Sequence, residues 1–142
     1  MLVAEILKTK GGAVYSISPD LTLGDACGEL DRRKVGALMV CQEDKVLGVL
    51  SERDVVRAVA RDGSAALGSP VSAFMTAEVV FAAPAESVAI LMERMTDRRI
   101  RHLPVMGDGR LVGVISIGDV VKCKIAEATR EAESLRTYIA AG

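Results

Sequence analysis

The hydrophobic and polar positions of this chain form short blocks, whose spacing alternates between that of a strand and that of a helix. Strands place apolar residues at every second position or in short runs, whereas helices place them three and four positions apart. The first half is predicted to hold a strand, a helix, a two-stranded hairpin and a second helix. Their predicted bounds are 14–17, 22–34, 37–41 with 46–50, and 51–61. Thr22 and Asp25 have the spacing of a capping box, which favours a helix start there.

The second half of the chain repeats this order of elements. After an apolar segment at 71–75, the predicted elements are a strand at 79–82, a helix at 87–98, a hairpin turning at Gly107-Asp108-Gly109 and a last helix from 117. In the first half, Lys10-Gly11-Gly12 is an extra stretch. Its glycines suggest a loop that makes a close approach to some other group.

The two halves share their sequence as well as their pattern. Residues 19–56 and 84–121 align at a constant offset of 65, and ten of the 38 aligned positions are identical. A unit of this length cannot easily bury its own apolar face, so we expect the two copies to share a core. The predicted organisation is repeat 1 at 1–62, a Gly- and Ser-rich linker at 63–70, repeat 2 at 71–126 and a C-terminal helical extension at 127–142.

The C-terminal extension carries its own apolar stripe. Ile125, Ala128, Ala132, Leu135 and Ile139 recur at helical spacing with charged residues between them, which predicts a helix to about residue 140. No further element of its own repeat is predicted to pack against this stripe. We therefore expect it to pack on the body of the protein or on a second subunit.

Composition excludes several classes of protein. Half of the residues are hydrophobic, which suffices for a core, but only 3% are aromatic and the net charge is −1. Nucleic-acid binders usually show a basic footprint or aromatic stacking platforms, so no nucleic-acid partner is expected. Three widely spaced cysteines favour reduced, buried thiols over disulfides or a metal site. Without a signal peptide or a membrane-spanning run, we expect a soluble, cytoplasmic protein with no membrane partner.

The strongest shared string is a candidate binding motif. GVLSERDVV (48–56) corresponds to GVISIGDVV (113–121), so each repeat has Gly-x-x-Ser-x-x-Asp where a strand runs into a helix. The helix N-terminus and the Ser hydroxyl favour phosphate, and the Asp can accept both hydroxyls of a ribose. The alternative is a capping box with a purely structural role. Finding the complete string in both repeats favours binding.

Basic residues precede the second motif. Arg98, Arg99, Arg101 and His102 lie at a strand entrance, from which they could converge with Ser116 on one cleft and bind phosphate. A solvated basic face is the structural alternative. The first motif instead contains Arg53, at the position of Gly118 in the second, so the two sites are expected to differ in charge.

The doubled unit, the two motif strings and RIRHLPV (99–105) together resemble a tandem pair of CBS domains, also called a Bateman module. The resemblance covers about residues 3–126. It implies an α+β fold in which two β-α-β-β-α repeats pack as a pseudo-twofold pair, sheet against sheet. It also implies two clefts between the repeats for adenosine-containing ligands: AMP, ADP, ATP, NAD(H) or S-adenosylmethionine. Such pairs commonly form homodimers and act as sensors of energy or metabolites.

The resemblance also implies roles for particular residues. In one cleft Asp119 would hold the ribose and Ser116 the phosphate side, with Arg101 and His102 along the phosphates and Tyr15, Val35 and Gly36 at the adenine end. In the other cleft Asp54 would hold the ribose and Ser51 with Arg53 the phosphate, bordered by Thr76, Val80 and Ile100. No obligatory cofactor and no metal are implied.

These residues bear on three function classes. The preferred hypothesis is a stand-alone nucleotide sensor that modulates a partner protein, and the alternative is a dimerisation scaffold with ligand-free clefts. An enzyme is disfavoured, because the chain has a single His, no Ser-His-Asp spacing, no metal-ligand cluster and no glycine-rich phosphate loop.

Overall fold

The structure, a computed structural model, describes residues 1–141. In chain order the elements are α1 (Val3–Lys10), β1 (Ser16–Ile17), α2 (Leu23–Arg33), β2 (Ala37–Gln42), β3 (Lys45–Ser51), α3 (Glu52–Asp62), α4 (Val88–Arg98), β4 (His102–Gly107), β5 (Arg110–Ser116) and α5 (Ile117–Ala141), with 3-10 helices at Gly63–Gly68 and Val71–Ala73. The chain divides into two compact units. One is Ala13–Phe81, and the other joins Met1–Gly12 to the chain from Ala82 onward.

The unit Ala13–Phe81 is built on a three-stranded sheet. β2 pairs with β1 in parallel and with β3 in an antiparallel hairpin. Helix α2 begins at the predicted capping box, in which Asp25 N donates to Thr22 Oγ1 over 3.1 Å and Thr22 N donates to Asp25 Oδ2 over 3.1 Å. The buried core draws on the strands, both helices and the 3-10 segments: Ile17, Leu23, Ala26, Leu30, Leu38, Val40, Leu50, Ala58, Ala66 and Val71.

The other unit is built on the β4–β5 hairpin. Its turn uses positive φ at Asp108 and Gly109, which suits a two-residue hairpin turn. Helix α1 belongs to this unit through backbone bonds at its start, where Val3 N donates to Glu86 O over 3.0 Å. Val3 and Ile6 of α1 are buried. The first twelve residues therefore pack with the second copy of the repeat, although the sequence division placed them in the first, and that division stays a prediction.

The order of elements predicted for the first repeat, strand-helix-strand-strand-helix, is confirmed. The second repeat departs from this order. The predicted strand at 79–82 is wrong, because only Ala82 pairs, as an isolated bridge with Val105. The predicted strand at 14–17 is shortened to Ser16–Ile17. Within the predicted linker, Gly63–Gly68 forms a 3-10 helix that buries Ala66, so this segment is part of a core.

The thiols are less buried than predicted. Cys123 is buried, but Cys27 and Cys41 are half-buried, and all three are free. Burial raises the pKa of the Cys41 thiol. Because the thiolate is the reactive form, a raised pKa makes this cysteine less reactive at neutral pH.

Candidate functional site

The first Ser-x-x-Asp motif forms the N-terminal cap of α3. Ser51 N donates to Asp54 Oδ2 over 2.9 Å, and Asp54 N donates to Ser51 Oγ over 3.2 Å. The Ser51 hydroxyl also donates to Asp54 Oδ2 over 3.1 Å, and Asp54 is only 8% exposed. The capping box, which is the structural alternative to a binding motif, is thus present, and a ribose-binding role for Asp54 stays a prediction.

Thr76 lies against the same carboxylate. Its Oγ1 donates to Asp54 Oδ1 over 3.4 Å, a long and therefore weak hydrogen bond. The backbone holds Thr76 in place, because Thr76 N donates to Val49 O over 2.9 Å and Val49 N donates to Thr76 O over 3.0 Å. The structure therefore brings together three residues that the resemblance assigned to one cleft: Ser51, Asp54 and Thr76.

Gly48 is the first residue of this motif, and packing within the protein explains why it carries no side chain. A Cβ at this position would lie 2.7 Å from Met75 Sδ and 2.8 Å from Thr76 O. The missing side chain therefore lets the Met75–Thr76 backbone approach β3.

A shallow depression next to Asp54 contains two arginines that the sequence reading missed. Its volume is about 240 Å³, and its lining residues are Asp54, Arg57, Ala58, Arg61, Ala73 and Phe74. Ligand pockets usually measure about 300 Å³ or more. The depression therefore fits part of a ligand rather than a whole nucleotide, and the guanidinium groups of Arg57 and Arg61 favour an anionic part.

The second motif reproduces this cap at the start of α5. Ser116 N donates to Asp119 Oδ2 over 2.8 Å, and Asp119 N donates to Ser116 Oγ over 3.2 Å. The Ser116 hydroxyl donates to the same Oδ2 over 3.0 Å. The two motifs thus share their local geometry as well as their sequence.

Lys10 distinguishes the second site from the first. Its ammonium Nζ lies 2.6 Å from Asp119 Oδ2 and 2.6 Å from Val114 O. The glycines that follow allow this approach: Gly11 adopts a φ of 95°, and a Cβ on Gly12 would lie 2.7 Å from Val112 O. The prediction that this loop makes a close approach is therefore confirmed, and the group it approaches is the backbone of β5. The sequence did not identify Lys10 as part of the site.

The charge state of Asp119 reflects two opposed effects. Burial raises the pKa of its carboxyl group, while hydrogen bonds from Lys10 and Ser116 and the charge of Lys10 lower it. The lowering effects dominate, so the pKa of Asp119 lies below its ordinary value. Asp119 is therefore an ionised acceptor at neutral pH, held beside a cation.

Replacing Lys10 by methionine is expected to lower the free energy of unfolding at pH 7 by about 1 kcal/mol, because it removes a partly exposed ion pair. The lowered pKa of Asp119 makes this contribution complete above the pKa of an unfolded Asp, about 3.9, and it is lost as the pH falls further. Urea unfolding from pH 7 to about pH 3 should thus show wild type and variant converging in acid. Lys8→Met, an exposed lysine of the same helix, should give no such convergence; a pH-independent difference for Lys10→Met would contradict the expectation.

Arg101 and His102 lie next to the second motif. Ile117 N donates to Arg101 O over 2.8 Å, and His102 pairs with Ser116 across the β4–β5 hairpin. Arg101 is exposed and His102 is half-buried. The structure thus gathers Lys10 and the predicted phosphate residues at the N-terminal end of α5, within one unit.

The remaining predicted site residues are distributed over the two units. Tyr15 is exposed and has the Arg33 guanidinium 4.8 Å from its ring centroid, and Arg53 is exposed on the first turn of α3. Val35, Gly36, Val80 and Ile100 are half-buried. Because each predicted cleft combines residues of both units, the joint roles of these residues stay predictions.

Two other features bear on the class of protein. Among residues 1–141, no group of three or more His, Cys, Asp or Glu side chains is arranged to hold a metal ion. Within the same residues, none of the helices combines the length and the apolar character that a membrane span requires.

Comparison with known proteins identifies the family. Two segments, residues 3–61 and 71–125, match the model of the CBS domain. The chain therefore belongs to the CBS-domain family, as a small tandem pair with the expected α+β fold.

Relatives match over nearly the whole chain. The mitochondrial CBS domain-containing protein CBSX3 of Arabidopsis thaliana is 33% identical over 149 aligned residues, which cover 99% of this chain and 72% of the relative. The crystal structure of the CBS-domain protein ATU1752 from Agrobacterium tumefaciens is 46% identical with a TM-score of 0.85, covering 87% of this chain and 92% of that one. PAE2072 from Pyrobaculum aerophilum, complexed with AMP, is 28% identical with a TM-score of 0.74, covering 84% and 89%.

Proposed function

We propose that this protein is a regulatory module that binds an adenosine-containing nucleotide through its two Ser-x-x-Asp motifs. The observation that carries the proposal is the arrangement at α5, where a helix N-terminus, an ionised Asp119 and three cationic or donor side chains occupy one region. The AMP complex of PAE2072, a related tandem pair, supports adenosine as the ligand class.

Each group at this site has a chemical role in the proposal. Asp119 accepts the ribose hydroxyls through Oδ1, since the internal bonds from Lys10 and Ser116 converge on Oδ2 and a carboxylate accepts through both of its oxygens. The N-terminal end of α5 and the Ser116 hydroxyl are assigned to the phosphate side, because the positive end of the helix dipole favours negative charge. Lys10, Arg101 and His102 favour a phosphorylated nucleotide over neutral adenosine.

The first-motif site is proposed to bind more weakly or to select another ligand. There Asp54 is nearly buried and both of its oxygens accept hydrogen bonds from within the unit. Its positive charge would come from Arg53, with Arg57 and Arg61 on the same helix. AMP, ADP and ATP fit the second site best, with NAD(H) and S-adenosylmethionine as further candidates for either site.

The finer features of the proposal are a homodimer, a cytoplasmic location and a regulated partner protein. They derive from the resemblance to stand-alone CBS pairs, which regulate rather than catalyse. For the location, a mitochondrial protein is the alternative, because the relative CBSX3 is mitochondrial. In this role ligand binding changes how the module engages its partner. Sustained AMP turnover by the purified protein, lost in Asp119→Ala, would contradict a purely regulatory role.

Thermal unfolding with added nucleotide tests the proposal against the alternative of a ligand-free scaffold. AMP at 100 times its dissociation constant is expected to stabilise the protein by about 2.7 kcal/mol, because it binds only the folded state. Adenosine is the matched control without phosphate and should stabilise less at the same concentration. If AMP, ADP, ATP, NAD(H) and S-adenosylmethionine all leave the transition unchanged at millimolar concentration, the scaffold is the correct assignment.

A further inference from the structure

The outer face of α5 carries a regular apolar stripe that remains exposed. Each residue from Ala128 to Ala141 is exposed. Apolar side chains recur along the helix at intervals of four and three residues: Val121, Ile125, Ala128, Ala132, Leu135 and Ile139. The exposed fractions of the four larger ones are 48%, 62%, 57% and 75% in chain order. The sequence predicts that this stripe packs either on the body of the protein or on a second subunit. Within residues 1–141, the first of these predictions is wrong.

A different face of the helix attaches α5 to its unit. Val120 and Cys123 are buried. The N-terminal ammonium of Met1 lies 3.3 Å from Glu127 Oε1, which fixes the helix from the same side. Since the body already uses this face, the stripe is available to a second molecule.

The spacing of the stripe identifies the kind of occupant. Alternating intervals of four and three residues give an average of 3.5, the heptad repeat of a coiled coil. Ile125, Ala132 and Ile139 then hold the a positions, and Val121, Ala128 and Leu135 the d positions. We propose that two copies of this chain pair through the stripe as a parallel, two-stranded coiled coil, independently of nucleotide binding.

Side-chain type and charge both favour the parallel arrangement. β-branched residues at a with Leu at d favour two parallel strands, and here Ile125 and Ile139 stand at a and Leu135 at d. In a parallel pair the g position of one helix meets the e position five residues later on the other. Glu131 holds g and Arg136 holds e, so two symmetric Glu131–Arg136 pairs would form between the copies.

The antiparallel alternative is disfavoured by charge. The antiparallel register that matches Ile125 with Leu135 and Val121 with Ile139 places Lys122 beside Arg136 of the partner subunit. It also places the two copies of Glu131 next to each other. Like charges at such flanking positions oppose pairing, so this register is selected against.

Disulfide trapping tests the parallel register directly, because only a parallel, in-register pair places a stripe residue opposite itself. The full chain is used with its native cysteines replaced (Cys27→Ser, Cys41→Ser, Cys123→Ala), and Leu135→Cys is oxidised with diamide. Paired thiols have a millimolar effective concentration, so cross-linked dimer should form about tenfold or more faster than for Arg130→Cys, an exposed control off the stripe. Ala132→Cys is a second stripe variant, should Leu135→Cys fold poorly by circular dichroism.

Charge exchange provides the second arm of the experiment. Glu131→Lys is expected to slow the cross-linking of Leu135→Cys, and adding Arg136→Glu should restore the rate. Equal rates for the stripe cysteines and Arg130→Cys would overturn the proposal. Cross-linking of Val121→Cys to Ile139→Cys in a mixture, without homodimers of Leu135→Cys, would also overturn it, in favour of an antiparallel pair.

Discussion

Replacing Asp119 by alanine is expected to weaken the binding of AMP by about tenfold to a hundredfold at one site while leaving the protein folded. A hydrogen bond to a charged group contributes about 1.5 to 3 kcal/mol, and its loss translates into that range of affinity. The second binding event, at Asp54, should be unchanged. Isothermal titration with AMP, which reports both affinity and stoichiometry, is the measurement.

A matched control separates ligand binding from helix capping. Asp25 makes the same capping box at the start of α2 but lies outside the two binding motifs. Asp25→Ala should therefore lose about 0.3 to 1 kcal/mol of stability from the helix start alone and keep wild-type affinity for AMP. If Asp119→Ala and Asp54→Ala also bind like wild type, both carboxylates serve only as caps and the proposed sites are wrong.

The parts of the fold that the sequence predicted well depend on neighbours along the chain. The caps at Thr22 and Ser51 follow from side chains that bond backbone groups three residues on. The hairpins follow from apolar strands flanking short polar turns, with Asp108-Gly109 supplying positive φ. These signals are local, so no knowledge of the packing was needed to read them.

The features that the prediction missed depend on residues far apart in the chain. Lys10 reaches Asp119 across 109 positions. The strand predicted at 79–82 fails because a β pattern forms a strand only where a pairing edge is available, and there only Ala82 finds one. An apolar segment also packs where its surroundings allow. Residues 3–7 align with residues 71–75 at an offset of 68. Residues 3–7 lie in an α-helix, whereas Val71–Ala73 forms a 3-10 helix. Sequence similarity thus did not impose the same structure on the two copies.

The candidate site shows the same division between local and long-range information. Both Ser-x-x-Asp motifs could be found from the sequence, since the repeat marks them and their bonds are local. The contacts that distinguish them could not, because Thr76 and Lys10 arrive from other segments. A repeat therefore indicates where two sites lie, while the residues around each motif decide how their ligands differ.

The second large expected effect is on stability and concerns Gly48 and Gly113, the first residues of the two motifs. Gly48→Ala is expected to lower the free energy of unfolding by about 2 to 3 kcal/mol, at the upper end of the cost of overpacking. A Cβ there would lie 2.8 Å from Thr76 O, and that carbonyl accepts a hydrogen bond from Val49 N over 3.0 Å. The backbone cannot retreat without breaking this bond. Urea unfolding monitored by circular dichroism is the measurement.

Gly113→Ala is the matched control at the equivalent position of the second motif. Its Cβ would lie 2.5 Å from Leu7 Cδ2, the far end of a flexible side chain that can turn away. Neither glycine has a positive φ, so alanine causes no backbone strain at either position and the difference reports packing alone. Gly113→Ala should therefore cost about 1 kcal/mol or less, toward the low end of overpacking. If Gly48→Ala also costs about 1 kcal/mol or less, the Met75–Thr76 backbone moves freely, and Thr76 is then not held against Asp54.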